Sequence, residues 1–223
     1  MIVEPIAHIE NDFPGKFGLP RQSGLNPALL SRIVPEKRCA GEEFTRGIEE
    51  FSHLWLIWGF DVPARAKASV RPPRLGGNVK RGVFATRSPF RPNPLGLTVV
   101  KLEGVERSAR GTVLTVSGAD MKSGTPIYDI KPYLPYADSV PDACGGFGEA
   151  HAGDTLEVEF PPDIKQRVPE DKLEALMYAL AQDPRPAYHA DPERIYGFYY
   201  ADMDVRFRVS QNVLTVVQIV NRK

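Results

Sequence analysis

Apolar and polar residues alternate over short stretches along most of the chain, with turn-forming residues between them. Runs of β-type character occupy residues 2–9, 54–60, 82–86, 97–105, 112–116, 155–160, 195–200, 205–209 and 213–220. Period-two alternation bounded by Gly and Pro reads as half-buried antiparallel strands, so the pattern predicts a mainly β fold, a barrel or a sandwich. One stretch reads as a clear helix. Over residues 169–181, Leu173, Leu176, Met177 and Leu180 recur at i, i+3, i+4 and i+7, with Glu170 and Asp171 in the first turn. Asn26-Pro27 has the look of an N-cap followed by Pro at the first helical position, and predicts a short helical turn through Leu30. The glycine-rich stretch from Gly145-Gly146-Phe147-Gly148 to Gly153 marks a boundary. It divides the chain into a larger domain over residues 1–148 and a small α+β domain over 149–223.

Composition narrows the class. The chain has 223 residues, 42% hydrophobic and 25% charged. That apolar content can offset ordering entropy, so a disordered chain is excluded. The longest apolar run, residues 54–60, falls far short of the roughly 20 residues a membrane span needs, so no membrane partner is expected. No basic, apolar leader is visible at the start. The two cysteines, Cys39 and Cys144, form no CxxC pair, which argues against a disulfide scaffold and makes a cytoplasmic chain the default expectation.

Net charge is zero, with 28 basic and 28 acidic residues, but the charge is unevenly placed. Residues 62–102 contain no acid and nine bases: Arg65, Lys67, Arg71, Arg74, Lys80, Arg81, Arg87, Arg91 and Lys101. Such a segment faces either a polyanion or acids supplied from elsewhere in the fold.

Several site signatures are missing. There is no GxGxxG, P-loop, HExxH or GxSxG, so a doubly wound nucleotide-binding domain, a zinc site and a serine hydrolase are unsupported, and no metal is expected. What stands out is the run from Arg81 to Gly96. Pro89, Pro92 and Pro94 fix φ and remove donors, which makes this a stiff loop that presents Arg87 and Arg91. Guanidinium groups on a rigid frame suit recognition of carboxylate or phosphate; alternatively they pair with acids and hold a structural loop. Asp129 and Lys131 stand in a β segment after the Ser123-Gly124-Thr125-Pro126 turn, whose backbone groups are expected to be free. Asp129 is either a paired charge or a functional acceptor. Gly18 to Gly24 offers another arginine and an amide. Asp183-Pro184-Arg185-Pro186-Ala187-Tyr188 is either a helix stop or an Arg/Tyr pair for phosphate contact and base stacking.

Taken together, Pro20-Arg21-Gln22, the 71–78 stretch, Phe84-Ala85-Thr86-Arg87-Ser88 with Phe90-Arg91-Pro92-Asn93-Pro94, Asp129-Ile130-Lys131-Pro132-Tyr133 and Asp183 to Tyr188 resemble the TrmO (TsaA-like, YaeB) tRNA methyltransferases. The resemblance spans most of the chain. It implies a single-sheet β-barrel for the first domain, S-adenosylmethionine as cofactor, a homodimer, and N6-methylation of threonylcarbamoyladenosine at position 37 of a threonine tRNA. It also implies a cofactor pocket of Pro20, Arg21, Gln22, Asp61, Arg87, Leu97, Ser123, Gly124, Thr125 and Pro126.

Methyl transfer from an activated sulfonium asks the protein to position, desolvate and handle one proton. Asp129 is the expected base or orienting acceptor, with Tyr133 as the alternative and Asn93 orienting a substrate amide. Arg91, with Lys131, is the expected partner of the substrate carboxylate. Arg71 and Arg74 are expected on tRNA phosphates, and Arg185 and Tyr188 on the RNA as well. Two rival readings are a non-catalytic tRNA-binding module and a methyltransferase acting on a small metabolite.

Overall fold

The computed structural model describes residues 2–61, 65–72, 79–151, 153–185 and 191–221. Six strands close into an antiparallel barrel: β1 (Ala7–Glu10), β2 (Leu30–Pro35), β3 (His53–Gly59), β6 (Leu95–Ser108), β7 (Gly111–Ser117) and β8 (Pro126–Pro132), in the order β1-β2-β7-β6-β3-β8. A small ladder of β4 (Ser69–Val70) and β5 (Arg81–Gly82) stands apart in the β3–β6 connection. Ile9, Ile33, Leu54, Leu56, Leu114 and Ile127 are buried inside the barrel, as period-two alternation requires. Closure leaves no free sheet edge to aggregate.

After a short turn of helix, α1 (Pro135–Asp138), the chain forms a second sheet. Its order is β10 (Tyr196–Tyr200), β11 (Met203–Ser210), β12 (Val213–Asn221) and β9 (Glu157–Glu159), with β9 parallel to β12. The short α2 (Pro162–Lys165) and the longer α3 (Glu170–Ala181) accompany it. The buried side of α3, Ala175, Leu176, Ala179 and Leu180, shares a core with Tyr200, Phe207 and Leu214. The mainly β class and the single-sheet barrel therefore hold, and the helix begins at Glu170, one residue after its expected start.

Two local expectations fail. The stretch after Asn26-Pro27 is no helix: β2 begins at Leu30 and pairs with both β1 and β7. Residues 82–86 are not a strand either. Only Arg81–Gly82 pair, and Val83–Ala85 form a 3-10 turn.

The long β1–β2 connection, residues 11–29, belongs to both halves. Phe13 and Leu29 are fully buried in the second core. Asp12 pairs with Lys172 at 2.8 Å, and the buried Asn26 amide donates to Ala175 O at 2.9 Å. The C-terminal unit thus anchors the loop that carries Arg21 and Gln22.

Candidate functional site

Strand direction puts three connections at one end of the barrel: β1–β2 (11–29), β3–β6 (60–94) and β7–β8 (118–125). At this mouth Arg87 Nη1 donates to Gln22 Oε1 at 2.6 Å, which joins two of the connections. Three clefts meet at the pair, and Gln22, Thr86 and Arg87 line all of them.

The first cleft, about 570 Å³, runs down the outside of β3 and β6. Its apolar walls are Trp55, Trp58, Phe60, Leu95, Leu97 and Val99, and its polar lining near the mouth includes Arg21, Gln22, Arg87, Arg91 and Asp120. The size suits a small-molecule site, and the lining is mixed, with an apolar wall from the strands and a polar rim of Arg21, Gln22, Arg87 and Asp120. Asp120 is fixed by a chain of hydrogen bonds. Trp58 Nε1 donates to Thr98 Oγ1 at 2.9 Å, and Thr98 Oγ1 donates to Asp120 Oδ1 at 2.7 Å. Withdrawal from water pushes the Asp120 carboxyl above the ordinary aspartate range, opposed by the Thr98 bond, its own backbone N–H and the field of Arg87. Tyr133 and Asp138 stand at the far end. Asp138 accepts from Leu134 N and Trp55 Nε1, which hold its carboxyl below the usual range.

The second cleft, about 780 Å³, is cationic. Arg21, Lys67, Arg71, Lys80, Arg87 and Arg185 line it. Arg185 forms a two-point pair with Asp183, both contacts at 2.8 Å, and Arg21 Nη2 donates to Asp183 O at 2.8 Å. The third cleft, about 620 Å³, is edged by Phe84, Phe147 and Leu25.

The mouth therefore gathers Arg21, Gln22, Arg87 and Leu97 around one cleft and Arg71 and Arg185 around its neighbour. Buried Pro20 precedes this group in the chain. Other expected residues stand elsewhere. Asp61 pairs with Lys122 at 2.6 Å on the surface, and that bond holds its carboxyl below the usual range. The 123–126 turn offers fewer open backbone groups than its sequence suggests. Ser123 N donates to Phe13 O, Gly124 N to Ile9 O and Thr125 N to Lys122 O, while Thr125 O accepts from Ile9 N. Gly124 supplies the positive φ of 81° that this turn needs. Pro126 opens β8 opposite His8.

Asp129 pairs with Lys131 at 3.0 Å, and neither lines any of the three clefts. Asn93 is exposed, and its carbonyl caps Leu95 N. Arg91 lines the first cleft but spends its Nη1 on Val83 O and Thr86 O of its own loop, at 3.2 and 2.6 Å. Arg74 and Tyr188 lie outside the described residues. Asp120 and Phe84 were not singled out by the sequence reading. The signal available for Asp120 was an acid set between Ala119 and Met121, small and apolar neighbours that mark burial.

Among the described residues no group of three or more His, Cys, Asp or Glu is arranged to hold a metal. None of the described helices is long and apolar enough to cross a membrane.

The fold and the mouth define a barrel protein with guanidinium groups gathered at one end. Comparison with known proteins supplies the family. Residues 8–139 match the tRNA-methyltransferase O N-terminal domain, and residues 153–222 match the TrmO C-terminal domain. The chain is 38% identical over 221 residues to the tRNA (adenine(37)-N6)-methyltransferase of Escherichia coli K12, covering 93% of this chain and 92% of that protein. It is 36% identical over 140 residues to an S-adenosyl-L-methionine-binding protein of Archaeoglobus fulgidus, covering 63% of this chain and 94% of that one. A crystal structure of TrmO from P. aeruginosa superposes with a TM-score of 0.80 at 35% identity, covering 99% of this chain and 97% of the other. The chain belongs to the tRNA-methyltransferase O family.

Proposed function

We propose that the chain methylates N6 of threonylcarbamoyladenosine at position 37 of tRNA, working as a cytoplasmic homodimer. The coarser activity is that of its family: it is an S-adenosylmethionine-dependent tRNA (adenine-N6)-methyltransferase. The observation that carries the finer reading is the junction at Arg87 and Gln22, where a cleft with an apolar strand wall and a partly desolvated carboxylate, Asp120, adjoins a cationic cleft.

The cofactor fits the first cleft by its chemistry. Leu95, Leu97 and Trp58 offer apolar surface to a purine and a methyl group, Arg87 and Gln22 meet a carboxylate, and half-buried Asp120 favours a cationic neighbour. When bound, S-adenosylmethionine supplies an electrophilic methyl group. The protein's own tasks are orientation and proton handling. Asp120 Oδ2 takes the N6 proton. Asp129 is held by Lys131 away from this cleft, while burial makes Asp120 a stronger base than an exposed aspartate. Tyr133 closes the far end. Arg21, tied by one nitrogen to Asp183 O, meets the threonyl carboxylate of the substrate. Arg71, Lys80 and Lys67 bind backbone phosphates next door.

Exposed Leu95 and Leu97, beside Trp55 and Ile57 on the outside of the barrel, form an apolar face. A second copy seated there would cap the cleft and exclude water. Residues 1–148 form the catalytic barrel domain in this reading, and 149–223 form the domain that anchors the Arg21 loop.

Transfer of labelled methyl groups to threonine tRNA with and without threonylcarbamoylation tests the reading. Incorporation into the modified tRNA alone is expected. Equal incorporation into both removes the claim for the modified base. Binding of tRNA with no incorporation and no cofactor affinity would leave a non-catalytic tRNA-binding module.

A further inference from the structure

The third cleft has no task in the reaction described above. Its edge is Phe84, which is 78% exposed although it sits in a well-fixed turn. Three bonds fix that turn. Arg91 Nη1 reaches the carbonyls of Val83 and Thr86, one at each end, and Thr86 Oγ1 donates back to Val83 O at 2.9 Å. The Arg91 guanidinium also lies over the Phe84 ring, 5.8 Å from its centroid. Arg91 is thus a pedestal: one side chain locks the turn and backs the ring, while most of the ring stays open to solvent. Holding an aromatic ring rigid and wet loses the burial it could gain elsewhere, so the arrangement implies a ligand that covers it.

The surroundings select the ligand. Arg87 lines the recess, the cationic cleft adjoins it through Gln22, Thr86 and Arg87, and residues 62–102 contain no acid. A flat ring beside fixed positive charge suits a nucleobase with its phosphate. We infer that Phe84, held by Arg91, is a stacking platform for an unstacked nucleobase of the tRNA anticodon loop next to the base being methylated. This deepens the proposed function and rests on it. Phe147 also lines the recess.

Anticodon stem-loops carrying 2-aminopurine at single loop positions test the platform, using the full-length protein. One position is expected to change fluorescence on binding. The Phe84→Ala protein should lose that change and bind the stem-loop about tenfold or more weakly. The Phe84→Trp protein should keep both, which separates stacking from loss of fold. Calorimetric affinity for S-adenosylmethionine should be equal in all three proteins. If Phe84→Ala binds the stem-loop as tightly as the unaltered chain with the fluorescence change intact, the inference is overturned, and Phe84 faces a protein partner instead. The fluorescence readout needs no methyl transfer, so the platform can fail while the methylation reading survives, and the reverse.

Discussion

Arg87 and Gln22 lie on connections 65 residues apart in sequence and share a 2.6 Å hydrogen bond across the barrel mouth. All three clefts use this pair as a common wall, so its loss affects more than one. Arg87→Ala is expected to weaken S-adenosylmethionine binding about tenfold or more, a change of about 1.4 kcal/mol. Arg87→Lys should recover little, because an ammonium lacks the planar fork. Calorimetric titration checks both.

Asp120 links function to pH. Folding raises its pKa above the ordinary value of 3.8, so the native state holds this proton more tightly than the unfolded chain. The sign follows from proton linkage. This group costs no stability below the ordinary value, an increasing amount as pH rises toward the folded pKa, and the full amount above the folded pKa. Asp120→Asn should therefore melt at an equal or higher temperature at neutral pH, with the gain shrinking as the pH is lowered. Methyl transfer should fall by about 10²-fold or more if Asp120 takes the N6 proton. A variant that keeps full activity would remove Asp120 from the reaction.

The cationic cleft predicts a salt effect. Arg71→Ala and Lys80→Ala should each weaken tRNA binding and reduce the slope of log affinity against log salt by about 0.7 to 0.9. Cofactor affinity should be kept. An unchanged slope would place the RNA on another face.

Gly96 permits close packing beneath the cleft. A Cβ there would overlap the indole of Trp58, which is buried and tied to Thr98. Gly96→Ala should destabilise the fold by about 1 to 3 kcal/mol through overpacking. The expected signature is a lower urea midpoint at unchanged slope.

Alternation and turn residues made most of the barrel legible in the sequence. The strands read at 54–60, 97–105 and 112–116 appear as β3, β6 and β7, with ends shifted by one to three residues. β2 was hidden because Arg32 interrupts its apolar run, and the acids that face that charge, Glu10 on β1 and Glu106 on β6, come from other strands. Residues 82–86 have the composition of a strand, but Arg91 reaches back to two of their carbonyls and favours a turn. Motif resemblance brought out Arg21, Gln22, Arg87 and Leu97. Asp120 and Phe84 stayed hidden because burial in one case and enforced exposure in the other give them their character, and both arise only when distant segments meet. For Asp129 the sequence left a paired charge and a functional acceptor both open, and the adjacent Lys131 pairs with it on the outside of the barrel.

A crystal structure of the protein with S-adenosylhomocysteine and a threonylcarbamoylated anticodon stem-loop would locate donor and acceptor together. The sulfur is expected within the cleft lined by Leu97 and Trp58, N6 of the modified adenine facing Asp120, and the threonyl carboxylate on Arg21. Density for either ligand on a face remote from Arg87 and Gln22 would contradict this arrangement.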